Sequence, residues 1–191
     1  MPSILLLGDI VIDREFSGKA TRLAPEGPFP VVCGVSAGDD LGCVGNVLRN
    51  VHDFFDVVHM VTAVSPSTLS LVSAVLADRF PNVKHRNFDQ LQRPLPVKNR
   101  VRANGACIAR FDQETVAPID RSAEDAIVGH VRGLSPAPDV VIISDYAKGF
   151  VTKSLCERII SLCTQSGIPT LVDPKGEDYA KYRGCTLIKP N

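Results

Sequence analysis

The sequence predicts an α/β fold with a mainly parallel sheet, flanking helices and a small additional β layer. Short runs rich in leucine or β-branched residues alternate along the chain with longer amphipathic segments, which is the order expected of βαβ units. The short runs are continuously apolar, which suits strands covered on both faces. An Asn104-Gly105 pair between two further runs predicts a hairpin, because both residues tolerate a positive φ.

Five strands and four helices follow from these patterns in chain order. The predicted strands cover residues 4–7, 57–64, 140–144, 170–172 and 186–189, and the predicted helices cover residues 42–51, 67–79, 122–134 and 152–166. The hydroxyls of Ser122 and Thr152 are placed to accept N–H groups of a first helical turn. Gly167 and Pro169 mark the end of the last helix.

The additional β layer is predicted from two stretches that break this alternation. Residues 29–34 follow a proline-rich approach, and residues 97–103 and 106–111 flank the Asn-Gly pair. We expect them to form a small lid, within segments of about 14–36 and 96–112.

Length and composition indicate one packed domain and argue against several classes of function. Of the 191 residues, 45% are hydrophobic and 22% are charged, as in globular rather than disordered chains. The formal net charge is zero, so the broad positive field that binds nucleic acid is missing. The first apolar run, residues 4–7, is too short for a signal peptide or a membrane span, so we expect a cytoplasmic protein without membrane association.

Cysteines and histidines show no metal-binding pattern, and no structural metal is predicted. The six cysteines are scattered without a C-x-x-C pair, which favours free thiols, and the four histidines lack metal-ligand spacing. Cys156 and Cys163 stand seven apart in a predicted helix, so we expect both to pack in the core.

Polar side chains follow four of the predicted strands, where each strand ends. These side chains are Asp9, Asp13, Asp145, Asp173 and Asn191. Because ligands of open α/β sheets bind beyond the carboxyl ends of the strands, the pattern predicts a polar ligand site at one sheet edge.

The chemistry of that edge suits a phosphorylated sugar. Lys148 follows Asp145, and Lys175 follows Asp173, each directly before a glycine. Carboxylates accept hydrogen bonds from sugar hydroxyls, and an ammonium group neutralises a phosphate. The alternative is that Asp145 and Asp173 only cap the helices or turns after their strands.

Two further candidates are weaker on their residues alone. Residues 42–46 (Gly-Cys-Val-Gly-Asn) open a predicted helix, but they match neither a P-loop nor a dinucleotide motif. Arg110 is placed either to reach a ligand or to pair with Asp112, and the residues alone favour the surface pair.

The order of motifs resembles that of the ribokinase/PfkB carbohydrate kinases. The matching segments are residues 8–14 (GDIVIDR), 21–32 (TRLAPEGPFPVV), 108–112 (IARFD), 144–149 (SDYAKG), 172–176 (VDPKG) and 182–191 (YRGCTLIKPN). Within that family the chain is most similar to bacterial heptose-7-phosphate kinases, which share the R-x-x-P-E-x-P-x-P and D-Y-x-K-G elements. The resemblance covers residues 1–191, as the amino-terminal part of a ribokinase-like kinase domain.

The resemblance implies transfer of the γ-phosphoryl group of ATP, with Mg²⁺, to a sugar phosphate on the route to ADP-heptose and lipopolysaccharide. It assigns substrate contacts to Asp9, Asp13, Gly42, Asn46, Arg110, Lys148 and Lys175, and places Asn191 near the magnesium and the transferred group. It also implies a homodimer formed through the lid, and a carboxyl-terminal kinase lobe as partner.

The sequence departs from the family pattern at three places. Cys43 replaces the second glycine of the sugar-binding helix start, and residues 63–67 replace a Gly-x-Asp element. The Gly-Ala-Gly-Asp segment with the catalytic base is absent from the 191 residues, so we expect no catalytic residue here and no activity of the chain alone. A non-catalytic sugar-phosphate-binding or oligomerisation module is the alternative, and a partly folded fragment is a third possibility.

Overall fold

The computed structural model describes residues 1–90, 93–176 and 179–190. In chain order its elements are β1 (Ser3–Gly8), β2 (Ile10–Ala24), β3 (Gly27–Cys43), α1 (Val44–Val51), β4 (Val57–Thr62), α2 (Pro66–Arg79), β5 (Lys84–Asn87), β6 (Val97–Ala103), β7 (Ala106–Gln113), α3 (Arg121–Arg132), β8 (Val140–Ser144), α4 (Lys153–Gln165), β9 (Thr170–Asp173) and β10 (Leu187–Ile188). Short 3-10 turns cover His52–Phe54 and Ala180–Tyr182.

The larger sheet has six parallel strands in the order β10-β9-β8-β1-β4-β5, which confirms the α/β prediction. Side chains of β1 alternate between two cores. Leu5 and Leu7 pack with α3 and α4, whereas Ile4 and Leu6 pack with α1 and α2. Helices therefore cover both faces of the central strands, as their continuous apolar runs predict.

Beyond the central strands, the α1 side of the sheet is open. A groove of about 260 Å³ runs between α1 and the strands β8 and β9. Leu171 on β9 is half-buried, and Leu187, its partner in register on β10, is 54% exposed. None of the helices in the described part of the chain is long and apolar enough to cross a membrane.

The smaller sheet has four strands in the order β3-β2-β6-β7, with β2 and β6 parallel and the outer pairs antiparallel. It uses residues 10–43 and 97–113, so it extends beyond the predicted lid segments. The long strands of this sheet are rich in charged residues, so the apolar pattern predicted only parts of them. Strand β5, at the edge of the larger sheet, is charged as well and was not predicted.

The four helices begin and end within two residues of the predicted bounds, and the starts of α1 and α3 differ for clear reasons. Helix α1 begins at Val44, because residues 42 and 43 still belong to β3. Ser122 does not cap α3, because the helix begins one residue earlier and the carboxylate of Asp120 accepts a hydrogen bond from the N–H of Ala123 (2.8 Å).

Other expectations for the helices are confirmed. Thr152 caps α4 by accepting a hydrogen bond from the N–H of Leu155 (3.0 Å), and Gly167 follows that helix with φ 68°. Cys156 and Cys163 lie buried in the core.

Candidate functional site

The candidate site lies where the carboxyl ends of β1, β8 and β9 meet the base of the smaller sheet. The chain leaves β1 at Gly8 and enters β2 at Ile10, so the two sheets meet at Asp9. Strand β4 lies on one side of β1 and β8 on the other, which makes the end of β1 a topological switch point. Ligands of open α/β sheets bind at such points.

Asp9 organises the loop that follows β8. Its buried carboxylate accepts hydrogen bonds from the backbone N–H groups of Tyr146 (2.9 Å) and Lys148 (3.0 Å) at Oδ2 and of Phe150 (2.9 Å) at Oδ1. Burial raises the pKa of Asp9, and the three N–H donors oppose that rise. We expected Asp9 to contact the ligand beside Asp13, but the structure commits both of its oxygens to the loop.

Arg93 binds a backbone carbonyl oxygen of the same loop, and the sequence analysis did not identify this arginine. The buried guanidinium donates hydrogen bonds to the carbonyl oxygens of Ala63 and Lys148, each at 3.0 Å, and lies 3.8 Å from the Asp9 carboxylate. Asp9 and Arg93 together bind both the N–H and the C=O of Lys148. These two contacts fix the backbone of Lys148 and therefore the position from which its side chain extends.

The Lys148 side chain reaches from this loop to the smaller sheet. Its Nζ lies 2.6 Å from Oε2 of Glu114, which directly follows β7. The lysine predicted to bind a phosphate is therefore already paired with a carboxylate.

Asp145 is committed to internal donors as well. Its buried carboxylate accepts hydrogen bonds from the N–H of Ala147 (2.7 Å) and the hydroxyl of Tyr182 (2.6 Å), and it pairs with Lys181. The bond to Ala147, two residues on, closes a tight turn. The turn-capping alternative describes Asp145 better than the expected ligand contact.

Asp173 and Tyr146 line the remaining part of the sheet edge. Burial raises the pKa of Asp173, while Lys189, a hydrogen bond from Tyr146, and Lys175 lower it. Burial also raises the pKa of the Tyr146 phenol, and the charges of Asp173 and Asp13 add to that effect. Tyr146 thus hydrogen-bonds to Asp173 at the end of β9 and lies within electrostatic range of Asp13 on the smaller sheet. Lys175 is exposed.

One face of the smaller sheet is highly charged. Lys98 on β6 is in register with Asp13 on β2 and with Asp112 on β7, and residues in register share a face. The charged side chains of this polar face are Asp13, Glu15, Asp40, Lys98, Arg100, Arg102, Arg110 and Asp112. The opposite face, called the apolar face, carries Phe16, Val101 and Phe111, with the two phenyl rings stacked at 6.5 Å. It also carries the Arg14–Asp39 ion pair (2.6 Å).

Asp13 and Gly42 meet at the base of the polar face. Oδ1 of Asp13 accepts a hydrogen bond from Arg100 (2.7 Å), and its side chain keeps 24% of its surface exposed. A Cβ at position 42 would overlap Oδ2 of Asp13 and the Val11 side chain. Gly42 therefore provides the space in which the Asp13 carboxylate lies.

Three further residues were predicted to belong to the site, namely Asn46, Arg110 and Asn191. Asn46, half-buried in the first turn of α1, accepts a hydrogen bond from Arg49 (3.0 Å). Arg110 forms a bidentate pair with Asp112 at 3.0 and 2.6 Å, so the surface pair favoured by the residues alone is present, on the polar face. Asn191 lies outside the described residues.

Two of the carboxylates at the sheet edge, those of Asp9 and Asp145, are bound by internal donors. Within residues 1–90, 93–176 and 179–190, no three metal-ligating side chains come together. Magnesium bound with phosphates takes one or two carboxylates, but Asp9 and Asp145 are occupied by internal donors.

The most informative sequence relatives are bifunctional HldE proteins, although no protein-family model matches the chain. The chain is 36% identical over 188 residues to a bifunctional HldE protein of Syntrophotalea carbinolica, an alignment covering 98% of this chain and 38% of that protein. It is 34% identical over 191 residues to that of Mesorhizobium japonicum, covering 99% of this chain and 38% of that protein. The chain therefore spans about two fifths of these relatives.

Two solved structures with the same fold are named as phosphofructokinases. The tetrameric inhibited form of phosphofructokinase-2 from Escherichia coli gives a TM-score of 0.70 at 20% identity, covering 100% of this chain and 61% of that one. A possible 1-phosphofructokinase from Thermotoga maritima gives 0.73 at 12% identity, covering 99% and 60%. The chain is therefore similar to one part of the bifunctional HldE proteins, and it shares its fold with these phosphofructokinases.

Proposed function

We propose that the chain forms the sugar-phosphate-binding part of a kinase that phosphorylates a heptose 7-phosphate or a closely similar sugar phosphate. The observation that carries the proposal is the position of Asp13. Its partly exposed carboxylate lies where the polar face meets the carboxyl ends of the central strands, with Tyr146 nearby. A carboxylate held in this way accepts hydrogen bonds from the hydroxyls of a sugar.

The residues around Asp13 would position the acceptor sugar for phosphoryl transfer, which depends on positioning and electrostatic stabilisation. Arg100 and Gly42 hold the carboxylate in place, and Asp9 and Arg93 hold the loop of Lys148. In the whole protein, Mg²⁺-ATP would supply the phosphoryl group. The described residues would bind and orient the acceptor.

The finer parts of the proposal rest on the resemblance to HldE proteins. They are an ADP-heptose and lipopolysaccharide pathway, a cytoplasmic location, a base and nucleotide site in a carboxyl-terminal lobe, and substrate roles for Asn46, Asp173, Lys175, Arg110 and Asn191.

A second candidate function, assembly of subunits through the smaller sheet, is favoured by the apolar face. Phe111 is 51% exposed there and stacks on Phe16, beside Val101. Such a face is suited to burial against an identical sheet, as expected for a lid-to-lid homodimer. Light scattering distinguishes the two functions, because a Phe111→Ser variant would become monomeric without losing sugar-phosphate binding if the face serves assembly only.

The kinase proposal is tested by complementation. The chain is mixed with the remainder of the kinase region from an HldE relative, complex formation is measured by light scattering, and ADP release is followed with heptose 7-phosphate and Mg²⁺-ATP. We expect ADP release that neither piece shows alone and that falls at least tenfold with Asp13→Asn. A stable complex without ADP release would contradict the kinase proposal.

A further inference from the structure

Strand β5 forms one end of the larger sheet, and its outer edge is unpaired in the described part of the chain. The strand pairs in parallel with β4 on its inner side. Phe88, directly after β5, donates its N–H to the carbonyl oxygen of Thr62 on β4 (2.9 Å). Because backbone groups point to alternate sides along a strand, the N–H and C=O groups of His85 and Asn87 point away from β4. Such groups can pair with a further strand.

One side of this outer edge carries two exposed cations, Lys84 and Arg86. They are in register with His59 and Val61 of β4, and Val61 belongs to the core that α3 and α4 cover. Residues in register share a face, so both cations lie on the α3 side of the sheet. Among the described residues, neither cation forms an ion pair. The edge therefore carries positive charge that no described carboxylate neutralises.

Two histidines extend this positive charge toward α3. The Arg86 guanidinium lies 5.4 Å from the centre of the Phe88 ring, and the His130 ring packs edge-on against the same ring at 5.8 Å. Burial lowers the pKa of His59, and the charges of Lys84 and His130 add to that effect. Burial also lowers the pKa of His130, and the charge of Arg86 adds to it. Apart from burial, both effects come from cations, so the local potential is positive.

The other side of the same edge has a groove with mainly apolar walls. His85 alternates with the two cations along β5 and therefore lies on the α2 side of the sheet. A groove of about 300 Å³ lies between His85 and the carboxyl-terminal half of α2, and its apolar walls are formed by Leu76, Ala77, Phe80 and Val83. Side chains of an added strand would alternate between this groove and the cations.

The charge of this edge favours an acidic strand over a like one. A second copy of β5 would place Lys84 and Arg86 opposite like charges, which is destabilising. Asp89, the first acidic residue after β5, already accepts a hydrogen bond from the side-chain amide of Asn87 (2.8 Å). A bound partner with acidic side chains at alternate positions supplies the counter-charge that the described residues lack.

We propose that the outer edge of β5 binds an extended peptide of alternating acidic and apolar residues, which adds a strand to the larger sheet. The backbone of the peptide pairs with His85 and Asn87, its acidic side chains lie against Lys84 and Arg86, and its apolar side chains enter the groove beside α2. Strand β4 separates this edge from β1, so the inference does not depend on the proposed function.

Fluorescence anisotropy of the chain with a labelled Glu-Val-Glu-Val-Glu-Val peptide tests this inference. The wild type is compared with Lys84→Glu/Arg86→Glu and, as a control on two exposed cations of β2, with Lys19→Glu/Arg22→Glu. We expect the first pair of substitutions to weaken binding about tenfold or more, and the control pair to change it by no more than about twofold. Lys84→Gln/Arg86→Gln replaces the reversed pair if that variant does not unfold cooperatively.

The groove and the backbone pairing are tested separately. Ala77→Gln fills part of the groove and should weaken binding about threefold or more, whereas Ala74→Gln, at an exposed position of the same helix outside the groove, should stay within about twofold. Hydrogen exchange at the amides of His85 and Asn87 should slow when the peptide binds, because both amides gain a partner.

A peptide of the same composition, with its glutamates in one block and its valines in the next, separates strand addition from simple charge attraction. Equal affinity for this peptide, unchanged affinity of the Lys84/Arg86 variants, or unchanged exchange at the His85 and Asn87 amides would overturn the inference. A similar affinity for oligothymidylate would also overturn it and identify a general polyanion surface. Absence of saturable binding of the alternating peptide would have the same consequence, and each of these results leaves sugar-phosphate binding as a separate question.

Discussion

The carboxylate of Asp13 lies against the α-carbon of Gly42 on the neighbouring strand, in space that any larger residue at position 42 would occupy. The contact joins two segments 29 positions apart, and it leaves Asp13 free to bind Arg100 on its other side (2.7 Å). Gly42 therefore acts on the candidate site through the space it leaves open.

Gly42→Ala should displace the Asp13 carboxylate and weaken sugar-phosphate binding. Its Cβ would overlap both Asp13 and Val11, and overpacking of this kind costs about 1–3 kcal/mol of unfolding free energy. Chemical denaturation and calorimetric titration measure the two effects. Gly38→Ala on the same strand is the matched control, because a Cβ there meets nothing within 4 Å. Equal behaviour of the two variants would refute the assigned role of Gly42.

Asp9→Asn should loosen the loop after β8. The amide keeps one acceptor oxygen, so at least one of the backbone N–H groups of Tyr146, Lys148 and Phe150 loses its partner. A buried donor left unpaired costs about 1–3 kcal/mol. Hydrogen exchange at these three amides should accelerate, whereas Asp53→Asn, at a side chain that is 89% exposed, should leave it unchanged. Wild-type exchange rates in Asp9→Asn would show that the loop does not depend on this carboxylate.

Cys43→Gly should be more stable than Cys43→Ala. Position 43 has φ 56° and ψ −118°, a conformation that costs a residue with a Cβ about 1–3 kcal/mol. Glycine adopts this conformation without that penalty. The alanine variant is usually more stable than the glycine variant, and here this order of stability should reverse. Ala37→Gly, elsewhere on β3, should instead be destabilising by about 0.5–1 kcal/mol. Denaturant unfolding compares the variants, and a more stable Cys43→Ala would contradict the strain at this position.

Stability should fall as the pH is lowered from about 6.5 toward 4. Burial lowers the pKa of His85 from 6.5 to about 4, so in this interval the unfolded chain takes up a proton that the folded chain does not. The stabilisation is complete above pH 6.5 and is lost on acidification by at most about 1.4 kcal/mol per pH unit from this group. His85→Gln should reduce the slope of unfolding free energy against pH. Parallel wild-type and variant curves would exclude His85 as a source of the acid sensitivity.

The central strands could be predicted from sequence because burial on both faces leaves a continuous apolar run, as in β1. Strand β5 (Lys-His-Arg-Asn) and the long strands of the smaller sheet have no such run, since their side chains are charged or exposed. Pairing across strands, rather than local hydrophobicity, defines these elements.

The candidate site, like the strands, could be predicted only in part. A carboxylate after a strand has the same sequence signature whether it faces a ligand or accepts backbone N–H groups, so Asp9 and Asp145 could not be separated from Asp13. The cations of the polar face depend on register between distant strands. In the sequence they are visible only as the alternation of Lys98, Arg100 and Arg102 along β6, and the sequence analysis did not identify them.

The most direct test of sugar-phosphate binding is a calorimetric titration of the chain with heptose 7-phosphate, for the wild type and for Asp13→Asn. We expect saturable binding with one site per chain, weakened at least tenfold by Asp13→Asn, while Asp56→Asn on the loop before β4 binds as the wild type does. Absence of heat at millimolar ligand, or equal affinity in the wild type and Asp13→Asn, would contradict a sugar-phosphate site built on Asp13.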